Sequence, residues 1–391
     1  VTSEIQRGFS AIVVFHNNRG DFMERRSFIR RAGTGMAAAA IAAPALGQTG
    51  QPEIRWRMAS SFPKSLDTLF GTADHFAKRV SDATGGKFQI RHFAGGEIVP
   101  PLQVLDAVQQ GTVEAGHTVG YYYVGKNSAW ALDTCLPFGL NARQMNAWLY
   151  FGGGRELLRD FYREYGVVGF PMGSTGVQMG GWFRKELRGL GDVKGLKFRI
   201  PGFGARVWAA LGAVPQALAA AEVYQALERG TIDATEFVGP YDDEKLGFYK
   251  VAKFYYYPAF WEPGPMVSLY INQKAWDGLP AEYKAIVEAA AGESNVLLTA
   301  SYDAKNPAAL QRLVNQGVQL RAFPPALMQA AYTAAQDIYA DERAKNPTFA
   351  KIFDSWDKFR ADQQRWFRVA ELSMESFRPQ TTAPAKGTSK K

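Results

Sequence analysis

Residues that build nucleophile and transition-metal sites are scarce in this sequence. Its 391 residues include one cysteine, Cys135, and four histidines, His16, His75, His92 and His117. A lone cysteine excludes an internal disulfide and any cysteine-rich metal centre. Beside Leu136-Pro137-Phe138 it reads as a small packing residue. The histidines form no HExxH or comparable ligand pair. Met172-Gly-Ser-Thr-Gly176 misses the nucleophile elbow because it begins with Met. Gly152–Gly154 lacks the Lys-Ser/Thr of a phosphate loop, which leaves it the role of ending the Ala142–Phe151 helix. No catalytic set emerges, so the chain is expected not to be an enzyme.

Strong charge and long apolar runs are lacking too. There are 45 Lys+Arg against 37 Asp+Glu, a net +8, and residues 1–47 hold six arginines and three acids. The remainder stands at 39 against 34 with no basic block, which weakly favours anionic ligands and gives no ground for nucleic-acid binding. With 47% hydrophobic and 21% charged residues the chain is expected to fold into two packed lobes. The apolar run Ala32–Leu46 is too short for a membrane span. It follows Met23-Glu-Arg-Arg-Ser-Phe-Ile-Arg-Arg31 and leads to the small residues Ala45 and Gly47, the pattern of a cleaved export signal. Arg25-Arg26 before Ser27-Phe28 resembles the twin-arginine type; an ordinary secretory signal is the alternative. Residues 1–22 are therefore expected to lie upstream of the start, 23–47 to be the signal, and the mature chain to work in the periplasm.

What the sequence does have is a run of α/β units. Ile54–Phe62, Phe88–Phe93 and Val113–Val119 read as strands, with helices at Ser65–Thr84 and Leu102–Gln110 between them. Val167–Phe170, Val177–Phe183, Leu196–Ile200, Lys253–Trp261 and Met266–Ile271 are further strands, with helices at Ala142–Tyr165 and Gly204–Leu211. Strands alternating with helices point to parallel-sheet units. Leu105–Ala115 and Tyr224–Ala234 echo each other as helix end, Gly, Thr and strand start, through duplication of a lobe or a convergent turn. Phe349–Phe377 places Phe349, Phe353, Trp356, Phe359, Trp366, Phe367 and Ala370 on one stripe. That helix packs on its own body or serves a homodimer.

The residues that suggest a site sit at strand ends. Alternation puts Leu196, Phe198 and Ile200 on one face and Arg199 on the other, just before Pro201-Gly202. Open α/β sheets bind ligands beyond their strand ends, where a guanidinium matches a carboxylate; a solvated strand arginine is the plainer reading. Glu236 follows the strand Ile232–Thr235, and Glu262 follows the aromatic run Tyr255–Trp261. An acid in apolar surroundings needs a basic partner or a hard cation. Phe62 and Tyr121-Tyr122-Tyr123 follow strands and either line a cleft or pack in the core.

These segments resemble a known family. Trp56-Arg-Met-Ala-Ser-Ser-Phe-Pro-Lys64, Gly120–Lys126, Gly176–Lys185, Gly195–Ile200, Glu236–Lys250 and Tyr255–Glu262 are similar to the solute-binding proteins of tripartite ATP-independent periplasmic (TRAP) transporters. The likeness is to the DctP-type family and its branch for 2-oxo acids and lactate, over nearly all of Trp56–Phe377. It implies two α/β lobes with crossing segments and long C-terminal helices. The expected division is 48–175 with about 265–304, then 176–264 with about 305–348, then a helix over 349–378 and a disordered tail over 379–391. The resemblance implies that Arg199 grips a carboxylate, with Phe62, Tyr122, Gln178, Phe237 and Glu262 around the ligand. A metal ion, Na⁺ or Ca²⁺, would be held by Gln178, Glu236, Phe237 and Glu262. Phe237 stands where relatives carry Trp, and Phe260-Trp261 precedes Glu262 where they carry Gly-Trp or Trp-Trp, so the pocket wall differs. The implied ligand is a small monocarboxylate such as pyruvate or lactate, delivered to TRAP membrane subunits. Another organic acid such as a dicarboxylate, an ATP-driven transporter, or a hydrolase or lyase are the alternatives.

Overall fold

In the computed structural model, which describes residues 51–377, the strand-forming runs settle into two sheets. The first contains β1 (Ile54–Ser60), β2 (Phe88–Phe93), β3 (Ala115–Thr118), β4 (Val167–Ser174) and, from far along the chain, β10 (Met266–Asn272). Their order is β2-β1-β3-β10-β4. The second contains β5 (Gly181–Phe183), β6 (Lys197–Arg199), β7 (Val214–Gln216), β8 (Ala234–Thr235), β9 (Phe254–Tyr257) and β11 (Gln319–Ala322), in the order β11-β9-β5-β8-β6-β7. The expected two-lobed α/β fold is present. The residues expected to be an export signal (23–47), an upstream segment (1–22) and a tail (379–391) lie outside the described residues.

β1 is parallel to β2 and β3, and β6 to β7 and β8, as strand–helix alternation implies. β10 instead runs antiparallel to β3 and β4, and β5 antiparallel to β8 and β9. Both sheets are therefore mixed, where the sequence pattern pointed to parallel units. The chain path explains the difference. β4 leaves the first sheet and β5 enters the second; β9 leaves the second and β10 returns to the first. A strand that arrives from the other lobe starts at the edge where its neighbours end, so it must run against them. Consequently β1, β3, β4, β6 and β8 finish, and β5 and β10 begin, at the edges where the lobes meet.

Helices cover the sheets with the periodicity their sequences carry. α1 (Leu69–Ala83) buries Leu69, Phe70, Ala73, Phe76, Ala77 and Val80 and is followed by Gly85 and Gly86, both at positive φ. It starts four residues later than its spacing suggested, because residues 61–68 form an irregular approach to the cleft. α2 (Ala142–Phe151) opens with a capping box between Asn141 and Gln144. The single helix expected over Ala142–Tyr165 is broken there, since Gly153 takes φ +82° and a Cβ on Gly154 would meet the Trp148 ring at 2.7 Å. After α3 (Pro240–Leu246), the 35-residue α4 (Ala281–Asn315) spans both lobes, packing on β4 and α1 and then on α3. α5 (Pro325–Lys345) and α6 (Pro347–Phe367) complete the body. Among the described residues no helix is long and apolar enough to cross a membrane.

The two echoing segments adopt the same turn. Gly111 and Gly230 have φ +71° and +73°, and Thr112 and Thr231 donate to Ala107 and Ala226 at 2.9 and 3.0 Å. The expected C-terminal stripe divides. Phe349, Ile352, Phe353 and Trp356 are buried against α5 and the residues before α2, whereas Trp366, Val369, Leu372, Met374 and Phe377 are exposed. A π-turn at Arg368–Leu372 interrupts the helix within the exposed part, and the single stripe becomes a packed half and an uncovered half.

Candidate functional site

Two backbone segments, each crossing between the lobes, form the floor of the site. Thr175 N donates to the Pro265 carbonyl (3.3 Å), Gln178 N to Glu262 (3.1 Å), Ala259 N to Gln178 (3.1 Å) and Gly180 N to Tyr256 (2.7 Å). This pairing fixes Gln178 and Glu262, far apart in sequence, side by side. Gln178 Nε2 donates to Thr175 Oγ1 at 3.2 Å, which leaves its Oε1 buried with no hydrogen-bond partner.

Arg199 ends β6 and is 2% exposed. The Leu218 carbonyl accepts from both Nε (3.1 Å) and Nη2 (3.0 Å). Nη1 donates to the Glu236 carbonyl (3.1 Å) and to Glu236 Oε1 (2.5 Å). Four of the five guanidinium donors are thus held, and one N–H of Nη2 remains beyond these bonds. The Phe237 ring centroid lies 5.6 Å from the guanidinium carbon. Glu236 follows β8 directly, and its backbone N–H donates back to the Arg199 carbonyl at 3.3 Å. The strand-end register therefore places acid and base together.

Glu236 pairs with Arg199 through one oxygen only. Its Oε2, and Oε2 of Glu262, are buried without partners. Burial pushes the Glu236 carboxyl up to about 7 against the pull of Arg199. Glu262, buried and crowded by Glu236, is held well above the usual carboxylate range. Burial likewise raises the Tyr121 phenol, with Glu262 adding to it. Ionised together, two acids and one arginine at such depth would leave an excess of negative charge, and three oxygens, from Gln178, Glu236 and Glu262, have no hydrogen-bond partner. That donor set of carboxylates and one amide suits a hard cation and does not suit a transition metal. Among the described residues no cluster of three His, Cys, Asp or Glu side chains could hold a metal, so the amide oxygen matters to the fit.

Above this floor lies a cleft with about 340 Å³ of empty space, its mouth included. The first lobe supplies Phe62 and Leu69, on either side of the loop after β1, with Val119, Tyr121 and Tyr122 after β3. Thr175 and Gln178 come from one crossing segment, and Pro265 from the other, with Val267 at the start of β10. The second lobe supplies Arg199, Phe237 and Val238. Arg199 is the one cationic side chain in this wall. Of the residues expected around a ligand, Arg199, Gln178, Phe62, Tyr122 and Phe237 face the cleft, while Glu236 and Glu262 sit behind it. Leu69, Val119, Thr175, Val238, Pro265 and Val267 were not singled out by the sequence. The last four belong to crossing or strand-end segments whose pairing only the fold defines; Val119 and Leu69 could have been found as the residues that adjoin a cleft-side strand end or loop. Cys135 is buried with Sγ 3.6 Å from the Trp261 carbonyl, a packing position.

Comparison with known proteins adds an independent line. The family model DctP, bacterial extracellular solute-binding protein, family 7, matches residues 59–346. A protein of Nostoc sp. described as a monocarboxylate 2-oxoacid-binding periplasmic protein is 49% identical over 360 residues, 91% of this chain and 99% of that one. A TRAP transporter solute-binding protein from Bordetella bronchiseptica superposes with a TM-score of 0.83 at 49% identity, covering 84% of this chain and 97% of the other. It is described as a mixed-occupancy dimer with copurified calcium and picolinate in the active site versus an apo site. A TRAP periplasmic solute-binding protein from Pseudoalteromonas atlantica with bound sodium and pyruvate gives 0.81 at 37% identity, covering 83% and 99%.

Proposed function

As this chain belongs to family 7 of the bacterial extracellular solute-binding proteins, we propose that it captures a small 2-oxo acid such as pyruvate in the periplasm for the membrane subunits of a TRAP transporter. It is a binding protein and not an enzyme. The observation that carries the ligand class is the buried Arg199 beside three unpartnered oxygens at the base of a small cleft. One cationic side chain in the wall suits one carboxylate; a dicarboxylate would bring a second charge with nothing in the wall to meet it. The remaining wall is largely apolar and aromatic, which fits a short alkyl chain.

Gln178, Glu236, the Phe237 carbonyl and Glu262 would hold Na⁺ or Ca²⁺. Such a cation offsets the two acids and offers a point that a carboxylate and the donor on its neighbouring carbon can chelate together. Pyruvate and picolinate, the ligands of the two solved relatives, both have that arrangement. Lactate keeps a hydroxyl there and is the next candidate. Arg199 would orient the carboxylate with its remaining N–H, and Phe62, Tyr122 and Phe237 would exclude water around it.

The lobes divide at residues 175/176, 264/265 and about 304/305, and closing them around the solute favours the conformation that membrane subunits recognise. The uncovered half of the C-terminal helix, with Trp366, Val369, Leu372 and Phe377 exposed, joins two copies. Thermal unfolding of the mature protein with a panel of 2-oxo acids, lactate, dicarboxylates and sugars tests the ligand class. Stabilisation by short 2-oxo acids is the expected result. Stabilisation by sugars or dicarboxylates alone would overturn it.

A further inference from the structure

We infer that Asp67 is an ionic latch across the mouth of the cleft, holding the two lobes together from outside the solute. Asp67 lies in the loop between Phe62 and Leu69, the two wall residues that the first lobe supplies after β1. Its partners belong to the other side. Lys245 Nζ and the Tyr241 hydroxyl, both on α3 of the second lobe, donate to Oδ1 and Oδ2, the hydroxyl at 2.9 Å. Lys305, where α4 passes from one lobe to the other, places Nζ 3.7 Å from Oδ2 and donates to Thr68 Oγ1 at 2.9 Å. The Tyr241 ring lies beneath both ammonium groups, 4.4 Å from Lys245 Nζ and 4.8 Å from Lys305 Nζ.

The arrangement is built on one side and single-stranded on the other. α3 is fastened to α4 at three further points. Tyr302 donates to Asp242 at 2.5 Å, Tyr241 N to Asn306 Oδ1 at 3.0 Å, and Arg312 forms a forked pair with Glu244. Tyr241, Lys245 and Lys305 therefore move as one body. Asp67, with its neighbour Thr68 on Lys305, reaches that body from the first-lobe loop, so opening of the mouth must break the bonds of Asp67 to Lys245 and Tyr241 together. The side chains of Asp67, Lys245 and Lys305 are 49, 31 and 36% exposed, which makes the latch accessible to salt. Screened ion pairs of this kind shift an equilibrium modestly. That suits a latch which must release solute as well as retain it.

The test reads closure directly, in the absence of solute. Spin labels at Lys87→Cys and Lys194→Cys, exposed positions beside β2 and β6, report the distance between the lobes; native Cys135 is buried. Asp67→Asn and Lys245→Met are each expected to lower the closed-to-open ratio roughly two- to fivefold. The double variant should fall no further than Asp67→Asn alone, since that change already removes the ion pair to Lys245. About 0.5 M salt should reproduce the loss in the parent and leave Asp67→Asn unchanged. A distance distribution that neither substitution moves, including one already fully open, overturns the latch. So do effects of the two substitutions that simply multiply.

Discussion

Arg199 and Glu236 show how one side chain can satisfy a structural need and a binding need at once. Oε1 of Glu236 neutralises the arginine, and Oε2 is left for something else. Of the two readings open in the sequence, the basic partner is present on Oε1, and the hard cation is proposed for Oε2 of the same carboxylate. Arg199→Lys keeps a charge but cannot make the forked donation to Leu218 and Glu236, so acid binding should weaken about 100-fold by calorimetry. Glu262→Gln removes a buried charge without changing shape. The solute-free protein should then melt no lower than wild type, while stabilisation by added Na⁺ or Ca²⁺ is lost. Loss of stability with the cation effect intact would place the cation elsewhere.

His117 carries a separate consequence at this scale. It is fully buried, 3.1 Å from Ser60 Oγ, beside Phe62 and His92, and burial holds its pKa well below the ordinary imidazole value. His92, near Asp74, Glu97 and Lys64, is also depressed by burial. Below about 6.5 the unfolded chain takes up a proton that folded His117 refuses, so its contribution to stability falls as pH drops. The unfolding free energy of wild type relative to His117→Gln should therefore decline by about 1 kcal/mol between pH 6.5 and 5.5. Urea unfolding of both proteins at the two pH values checks this; an unchanged difference would mean the imidazole titrates equally in both states.

At the scale of elements, sequence periodicity located what depends on local pattern. Phe88–Phe93 is the strand its alternation implies, α1 buries the face its spacing names, and Arg199 stands at the end of β6 opposite Phe198. The crossing segments were not legible. Nothing local in Thr175–Gly180 or Pro258–Pro265 says that they pair with each other, or that β5 and β10 run against their sheets, because that order follows from where the chain has been. The same limit hid Val238, Pro265 and Val267. The C-terminal stripe was legible as amphipathic, but burial of its first half depends on α5 and the segment before α2. Trp356→Ala should cost about 3–5 kcal/mol of stability, as deep aromatic truncations do. Trp366→Asp should leave unfolding of the monomer within roughly 0.5 kcal/mol of wild type and, by light scattering, abolish the proposed dimer. A dimer that persists in Trp366→Asp would assign the contact to another surface.

For the whole molecule, the fold brings strand ends from two sheets to one cleft and buries at its base two acids for which the protein supplies a single arginine. On the proposed reading, solute capture depends on a cation and on closure together. Both lobes contribute wall residues, so neither lobe alone presents the site. The most direct measurement is calorimetric titration of pyruvate into the mature protein, first in a choline buffer stripped of Na⁺ and Ca²⁺, then with each ion restored. Binding that is weak or absent without the ion and at least tenfold tighter with one of them is the expected result. Equal binding in all three buffers would contradict a cation at Gln178, Glu236 and Glu262, and would leave Arg199 as the sole grip on the carboxylate.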